Sequence, residues 1–195
     1  LPLQSLHEKA GAKFGGFAGW DMPITYPLGV LKEHLHTREK AGLFDISHMK
    51  LFMAEGEHVD TMIARACPVD PACIEAGESK YTFLLNQNAG MIDDLIITRF
   101  SPTRFLIVAN ASRADVDFAE LNGFAKQLGC TLTPLDRVLL ALQGPKSAEV
   151  LKDAGIEGAS LTFMRGMELP GAVIVTRSGY TGEDGFEISL PLSKA

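Results

Sequence analysis

The chain has 195 residues, 46% hydrophobic and 22% charged, a globular composition able to bury roughly 70% of its unfolded surface in one domain or two small intertwined lobes. Its 24 acids against 18 bases give a net charge of −6 with no block of like charges, which argues against nucleic acid as the main ligand, because phosphate binding wants clustered Lys and Arg. No apolar run approaches the roughly 20 residues of a membrane span, no export signal opens the chain, and the missing initiator Met marks it as processed, trimmed or an excerpt.

Residues 3–13 carry helical spacing (Leu3, Leu6, His7, Ala10), with Gly15-Gly16 expected to end the helix. Phe17 to Tyr26 reads as strand, turn and strand, and Pro23 restricts the residue before it. A helix is expected over 30–40, with Leu31, His34 and Leu35 on one face and Gly42 as its cap. Leu43 to Met53 alternates well enough for one strand, and 57–66 is a second helix with the apolar stripe Val59, Met62 and Ile63. Strands at 81–85 and 95–100 are joined by the Asn86–Gly90 turn as a hairpin. A third strand, 105–109, leads to a helix capped by Ser112 and running through Asp117, Leu121 and Phe124. Strands at 138–143, 172–176 and 186–190 and a helix at 145–154 complete the reading. Strands and helices alternate without a regular βαβ rhythm, so the fold class is α+β, antiparallel sheets with flanking helices.

Cys67, Cys73 and Cys130 are an odd set without a paired short spacing, which favours buried reduced thiols over a disulfide frame or a zinc site. His34, His36 and His48 lack the i, i+4 spacing with an intervening acid, and His7 and His58 are isolated. No metal site is expected.

Four stretches are hard to explain by packing alone. Asp93-Asp94 follows a glycine turn and opens the apolar run Leu95-Ile96-Ile97. A solvated turn would account for both acids, but an unpartnered carboxylate at the mouth of a buried strand is costly and can equally await a ligand. Successive strand residues face opposite ways, so Asp94 shares a face with Ile96 and Thr98, and Asp93 with Leu95 and Ile97. One pocket can therefore take only one of the pair. Asn110, after Val108-Ala109, carries an amide suited to the edge of a polar heterocycle, although a plain strand-to-helix connection explains it better on sequence alone. Gly179, Gly182 and Gly185 superficially suggest a phosphate loop, yet no Lys-Ser or Lys-Thr follows and a strand comes next. A tight turn delivering Glu187 onto that strand fits better. Asp45, Ser47 and His48 invite a hydrolase triad, but residues so close on one strand cannot converge. A structural hydrogen-bond cluster is the commoner reading, with Met49 lining what lies beneath.

Five separated motifs stand in register along the chain: Phe17-Ala18-Gly19-Trp20, Leu43 to Met49, Gly90 to Leu95, Ala141-Leu142-Gln143-Gly144-Pro145 and Gly179 to Glu187. Together they resemble the aminomethyltransferase (T-protein) family of the glycine cleavage system. That resemblance implies a tetrahydrofolate-dependent enzyme. It would take the aminomethyl group from the lipoyl arm of the H-protein, release ammonia and leave the carbon as 5,10-methylenetetrahydrofolate. It also implies that residues 1–195 are a folate-binding catalytic region, continued in the family by a C-terminal β-barrel that is absent from this chain. The arginines of that region would be missing, leaving weak transfer by the 195 residues alone and an uncovered face. The implied catalytic acid is Asp94 and the pterin-gripping acid Glu187, not Glu183. Met49, Tyr81, Val108 and Asn110 fall on positions lining the folate pocket, while Leu106 stands where some relatives place a Tyr. The implied partners are lipoylated H-protein and tetrahydrofolate, with no metal, nucleic acid or membrane. The implied location is the bacterial cytoplasm or the mitochondrial matrix of a eukaryote.

The chemistry agrees with that assignment. A pterin presents an N–H-rich edge that one carboxylate can take in two hydrogen bonds, and an oriented carboxylate stabilises an iminium-like carbon. Competing readings are a folate-dependent demethylase, the folate-handling part of a sarcosine or dimethylglycine oxidising protein, and a non-catalytic folate-binding protein. The last usually carries a Lys-Gly-Cys-Tyr-type motif where this chain has Arg177-Ser178-Gly179-Tyr180.

Overall fold

The computed structural model describes residues 1–194. Its helices are α1 (Gln4–Lys9), α2 (Val30–Glu39), α3 (Val59–Ala66), α4 (Ala114–Leu128) and α5 (Ser147–Asp153). Its strands are β1 (Lys13–Phe17), β2 (Trp20–Thr25), β3 (Gly42–Asp45), β4 (Lys50–Glu55), β5 (Ser79–Leu85), β6 (Met91–Ser101), β7 (Arg104–Ala109), β8 (Thr131–Leu135), β9 (Arg137–Gln143), β10 (Arg165–Leu169), β11 (Val173–Arg177) and β12 (Gly185–Pro191). The fold is α+β with antiparallel strand pairs and flanking helices, as the sequence led us to expect.

The chain forms two compact units. The first comprises Leu1–His48, Arg137–Phe163 and Met167–Ala195; the second comprises Met49–Asp136 with Met164–Gly166.

In the first unit a five-stranded sheet runs β10-β11-β12-β9-β3. Leu142, Val175, Phe186 and Ile188 from this sheet pack with Leu151 of α5 into an apolar core. A separate hairpin joins β1 and β2 through the two-residue turn Ala18-Gly19, with φ of 49° and 82°, the left-handed pair that matches strand twist. Gly15-Gly16 does not end a helix: α1 stops at Lys9, Gly11 turns the chain at φ 76°, and both glycines lie inside β1. Leu31 and Leu35 of α2 are exposed and its buried residue is Thr37. Gly42 does not cap that helix but begins β3, where an added Cβ would come 2.3 Å from Thr37 Oγ1. Absence of a side chain, not capping geometry, is what that position requires.

In the second unit the sheet order is β5-β6-β7-β4-β8. Its inner face (Phe52, Ala54, Leu95, Ile97, Phe105, Ile107) packs against Val59, Met62 and Ile63 of α3 and Leu121 and Ala125 of α4. The expected stripe of α3 is thus fully buried. Each Å² of apolar surface that this cluster removes from water contributes about 25 cal/mol.

Several boundaries differ from expectation for identifiable reasons. The single strand over 43–53 is two, β3 and β4, in different sheets. Asp45 Oδ1 accepts the Ser47 N–H at 2.9 Å, a local turn that takes residues 46–49 out of extended backbone. Ser112 caps nothing: Arg113 holds the N-cap position of α4 without a side-chain cap bond. The unpredicted β8 and β10 are both edge strands. Pro134 masks β8 in the sequence, and an edge is where a strand tolerates a residue with no N–H to donate. Cys67 and Cys130 are buried but Cys73 is exposed, so the expectation of buried thiols holds for two of the three.

Candidate functional sites in the two units

In the second unit, the Asn86–Gly90 turn is built by one side chain. Asn86 Oδ1 accepts the N–H groups of Asn88 and Gly90, each at 2.9 Å, and Ala89 adopts φ 59°. The turn launches β6, where Leu84 pairs with Asp93 and Phe83 with Asp94. Strand alternation then separates the acids: Asp93 goes with the core-facing Leu95 and Ile97, and Asp94 with Ile96 and Thr98. Register brings the other candidates toward Asp94. Tyr81 and Val108 both pair with Ile96, two residues beyond it, and Lys50 pairs with Ala109, so Met49 and Asn110 leave the sheet at the same end. Tyr81 is exposed; loss of hydration, then the charge of Asp94 and a hydrogen bond to it, hold its phenol above the ordinary value. Leu106, two positions before Val108, is buried and pairs with Thr98.

Asn110 is more than a connection. Its Nδ2 lies 3.2 Å from Asp93 Oδ1, 3.2 Å from Asp94 Oδ1 and 3.1 Å from the Asp94 carbonyl oxygen. One amide thus bridges the two acids that the pleat sends to opposite faces, and so orients Asp94. Beneath it lies Asp117 of α4, a residue the sequence reading placed on a helix but gave no role. It is fully buried, and Asp93 Oδ2 is buried as well.

In the first unit, the segment 178–184 turns the chain into β12, and Glu187 pairs with Thr176 of β11. The acids before it are already engaged. Arg38 meets Glu183 at 2.8 Å, and Arg177 makes a two-point contact with Asp184 at 2.8 and 2.6 Å that holds that carboxyl below the usual range. Glu187 has hydroxyl partners instead: Ser178 Oγ donates to it at 2.6 Å, and Thr176 contributes a second hydrogen bond. Burial raises its carboxyl above the ordinary value despite both hydroxyls. A partly dehydrated carboxylate held by hydroxyls is a place that N–H donors would complete. The choice of Glu187 over Glu183 is consistent with these partners.

The Asp45-Ser47-His48 cluster forms no triad. Ser47 Oγ accepts the Leu139 N–H at 3.0 Å, and the His48 ring stacks edge-on against Phe17 at 5.8 Å with its proton affinity lowered by burial. Asp45 instead takes part in a chain the sequence concealed. His7 Nε2 lies 2.9 Å from Asp45 Oδ2 and His7 Nδ1 lies 2.8 Å from the Tyr26 hydroxyl. His7 is therefore not isolated, and it ties α1 to β3 and to the end of β2. A 38-residue separation left no local signal of that contact. No group of three or more His, Cys, Asp or Glu among the described residues is arranged to hold a metal ion.

The family model described as the GCVT N-terminal domain matches residues 3–195. The chain is 40% identical to an aminomethyltransferase of Deinococcus deserti over 201 aligned positions, covering 100% of this chain and 56% of the relative. It is 38% identical to a mitochondrial aminomethyltransferase of Dictyostelium discoideum, covering 99% and 51% respectively. Among solved structures, the glycine cleavage system aminomethyltransferase T of Bartonella henselae superposes with a TM-score of 0.97 at 60% identity, over 100% of this chain and 54% of that one. A heterotetrameric sarcosine oxidase of Corynebacterium shares the fold alone, at 18% identity and a TM-score of 0.55 over 78% and 76% of the two chains. The chain spans about half the length of the curated relatives it matches.

Proposed function

The chain belongs to the GCVT N-terminal domain family, and from that premise we propose that it is the folate-binding catalytic region, over residues 1–195, of an aminomethyltransferase. The substrate would be the aminomethyl group on the lipoyl sulfur of H-protein and the acceptor tetrahydrofolate, within glycine degradation. The carbon breaks its bonds to sulfur and to the amino nitrogen and forms two to N5 and N10 of tetrahydrofolate. The two N–H protons of the acceptor balance the step, leaving as free thiol and ammonia. The setting would be the cytoplasm of a bacterium or the mitochondrial matrix of a eukaryote.

The observation that carries this reading is Asp94, a carboxylate held by the Asn110 amide beside the Tyr81 phenol. As the carbon is released from sulfur or nitrogen it becomes iminium-like, and a preoriented negative group stabilises it. The same oxygen can hold or accept the proton lost by the folate amine. Glu187 is proposed to grip the aminopyrimidine edge, with Met49, Tyr81, Val108 and Asn110 lining the ring site.

The two acids separate in an experiment. Asp94→Asn keeps the shape and the Asn110 contact but removes the charge, so turnover falls by about 10²–10³ while tetrahydrofolate affinity changes little. Glu187→Ala removes charge-assisted hydrogen bonds of about 1.5–3 kcal/mol, a loss of roughly 10- to 100-fold in affinity measured by calorimetric titration. Near-normal turnover in Asp94→Asn, assayed with aminomethylated H-protein, would remove the catalytic assignment.

A further inference from the structure

Directly behind Asp94 lies a feature its role does not use. Asp117 sits on the buried stripe of α4 with Ala114, Leu121 and Ala125, and it is 0% exposed. Both of its oxygens and Asp93 Oδ2 are buried without a partner if every carboxyl is ionised. Three such atoms in one apolar core cost several kcal/mol unless something donates to them. Asp93 faces Asp117 closely enough that a hydrogen bond between the two carboxyls, together with the Asp93 charge, acts to raise that of Asp117. Two carboxylates cannot donate to each other, so the contact closes only if one carries a proton.

We propose that Asp117 is a positioning residue: its carboxyl shares one proton with Asp93, and this singly charged pair holds the Asn110 amide and, through it, the Asp94 carboxylate. Asp93 Oδ1 accepts one hydrogen bond of the amide, Asp94 takes another, and the protonated partner satisfies Asp93 Oδ2 from below. Without the proton, three negative groups would crowd around one amide. The charged groups facing Asp117 are Asp93 and Asp94 from β6 and Arg113 from the start of α4. Burial, the hydrogen bond and charge of Asp93, and the charge of Asp94 raise its carboxyl to about 7, with Arg113 opposing. Near neutral pH the pair is therefore poised at the loss of its proton. The catalytic half of this inference rests on the role proposed for Asp94; the shared proton does not.

The test has two independent arms. In the whole protein labelled with ¹³C at aspartate carboxyls, one resonance should titrate near neutral pH; it should vanish in Asp117→Asn and move toward the ordinary acidic range in Asp93→Asn. If every aspartate titrates in the ordinary acidic range, the shared proton is disproved whatever the enzyme does. In the second arm, Asp117→Ala lowers kcat about tenfold or more, the worth of one hydrogen bond to a charged group, and leaves tetrahydrofolate affinity nearly unchanged. Asp117→Asn, which can still donate to Asp93, should restore most of that kcat and abolish a fall in rate with midpoint near pH 7. Equal impairment by both substitutions, or an unaltered pH profile in Asp117→Asn, overturns the positioning role. A titrating pair alongside fully active Asp94→Asn would instead point to failure of the catalytic reading alone.

Discussion

Asp184, Glu187 and Asp117 are all carboxyl groups near the end of a strand or the start of a helix, yet the protein treats them differently. Arg177 keeps Asp184 ionised, whereas burial pushes Glu187 and Asp117 the other way. These directions fix the sign of the pH dependence. Between the ordinary value of 3.8 and about 7, the folded chain keeps a proton on Asp117 that the unfolded chain has released. Stability from this group is therefore full below that range and is lost as pH rises through about 7. Glu187 acts in the same sense. Asp184 acts in the opposite one, its contribution vanishing as pH falls through its depressed value. The expected outcome is that Asp117→Asn gains on the parent in thermal midpoint between pH 5 and 8, followed by circular dichroism. A constant difference across that range would contradict the shared proton.

Among the elements, the Asn86 turn and the β9–β12 ladder have the clearest mutational signatures. Asn86→Ala loses two acceptor contacts at an exposed turn, costing about 1 kcal/mol and lowering the urea midpoint without changing its slope. Gly185→Ala is the harsher change. Gly185 pairs with Gln143, and an added Cβ would come within 2.5 Å of that fully buried amide. We expect a loss of about 1–3 kcal/mol from overpacking. Individual elements also show where sequence is legible. The hairpin could be read because Asn, Gly and a β-branched run are neighbours in the chain. α3 could be read because its apolar residues recur with helical spacing. The division of 43–53 could not, since alternation continues across a turn that only the Asp45–Ser47 contact reveals.

Over the whole molecule, the second unit is a nearly contiguous segment that the chain enters and leaves from the first, and within that segment burial does not follow position in the chain. The thiols report this simply. Cys67 and Cys130 are buried, the former pushed up to about 12 by loss of hydration, while Cys73 is exposed with its thiol raised by the hydrogen bond to Asp70. A native chain should react with a thiol reagent at Cys73 alone, and slowly, and at three sites after unfolding. Rapid labelling of Cys67 in the native state would show that the core of the second unit opens readily. Among the described residues no helix is long and apolar enough to cross a membrane.

Periodicity and turn chemistry act between residues a few positions apart. For that reason the sequence alone determined the α+β class, the hairpin before Asp93-Asp94, the opposite facing of the two acids and the motif series that marks the family. It could not determine which atoms meet across 16 or more residues. The bridging of both acids by Asn110, the burial of Asp117 behind Asp93 and the Tyr26–His7–Asp45 chain all depend on sheet register and helix docking. Those are decided by how the apolar faces close on one another, and a polar side chain carried into such a core must find its partner there, because hydrogen-bond desolvation leaves no cheaper alternative.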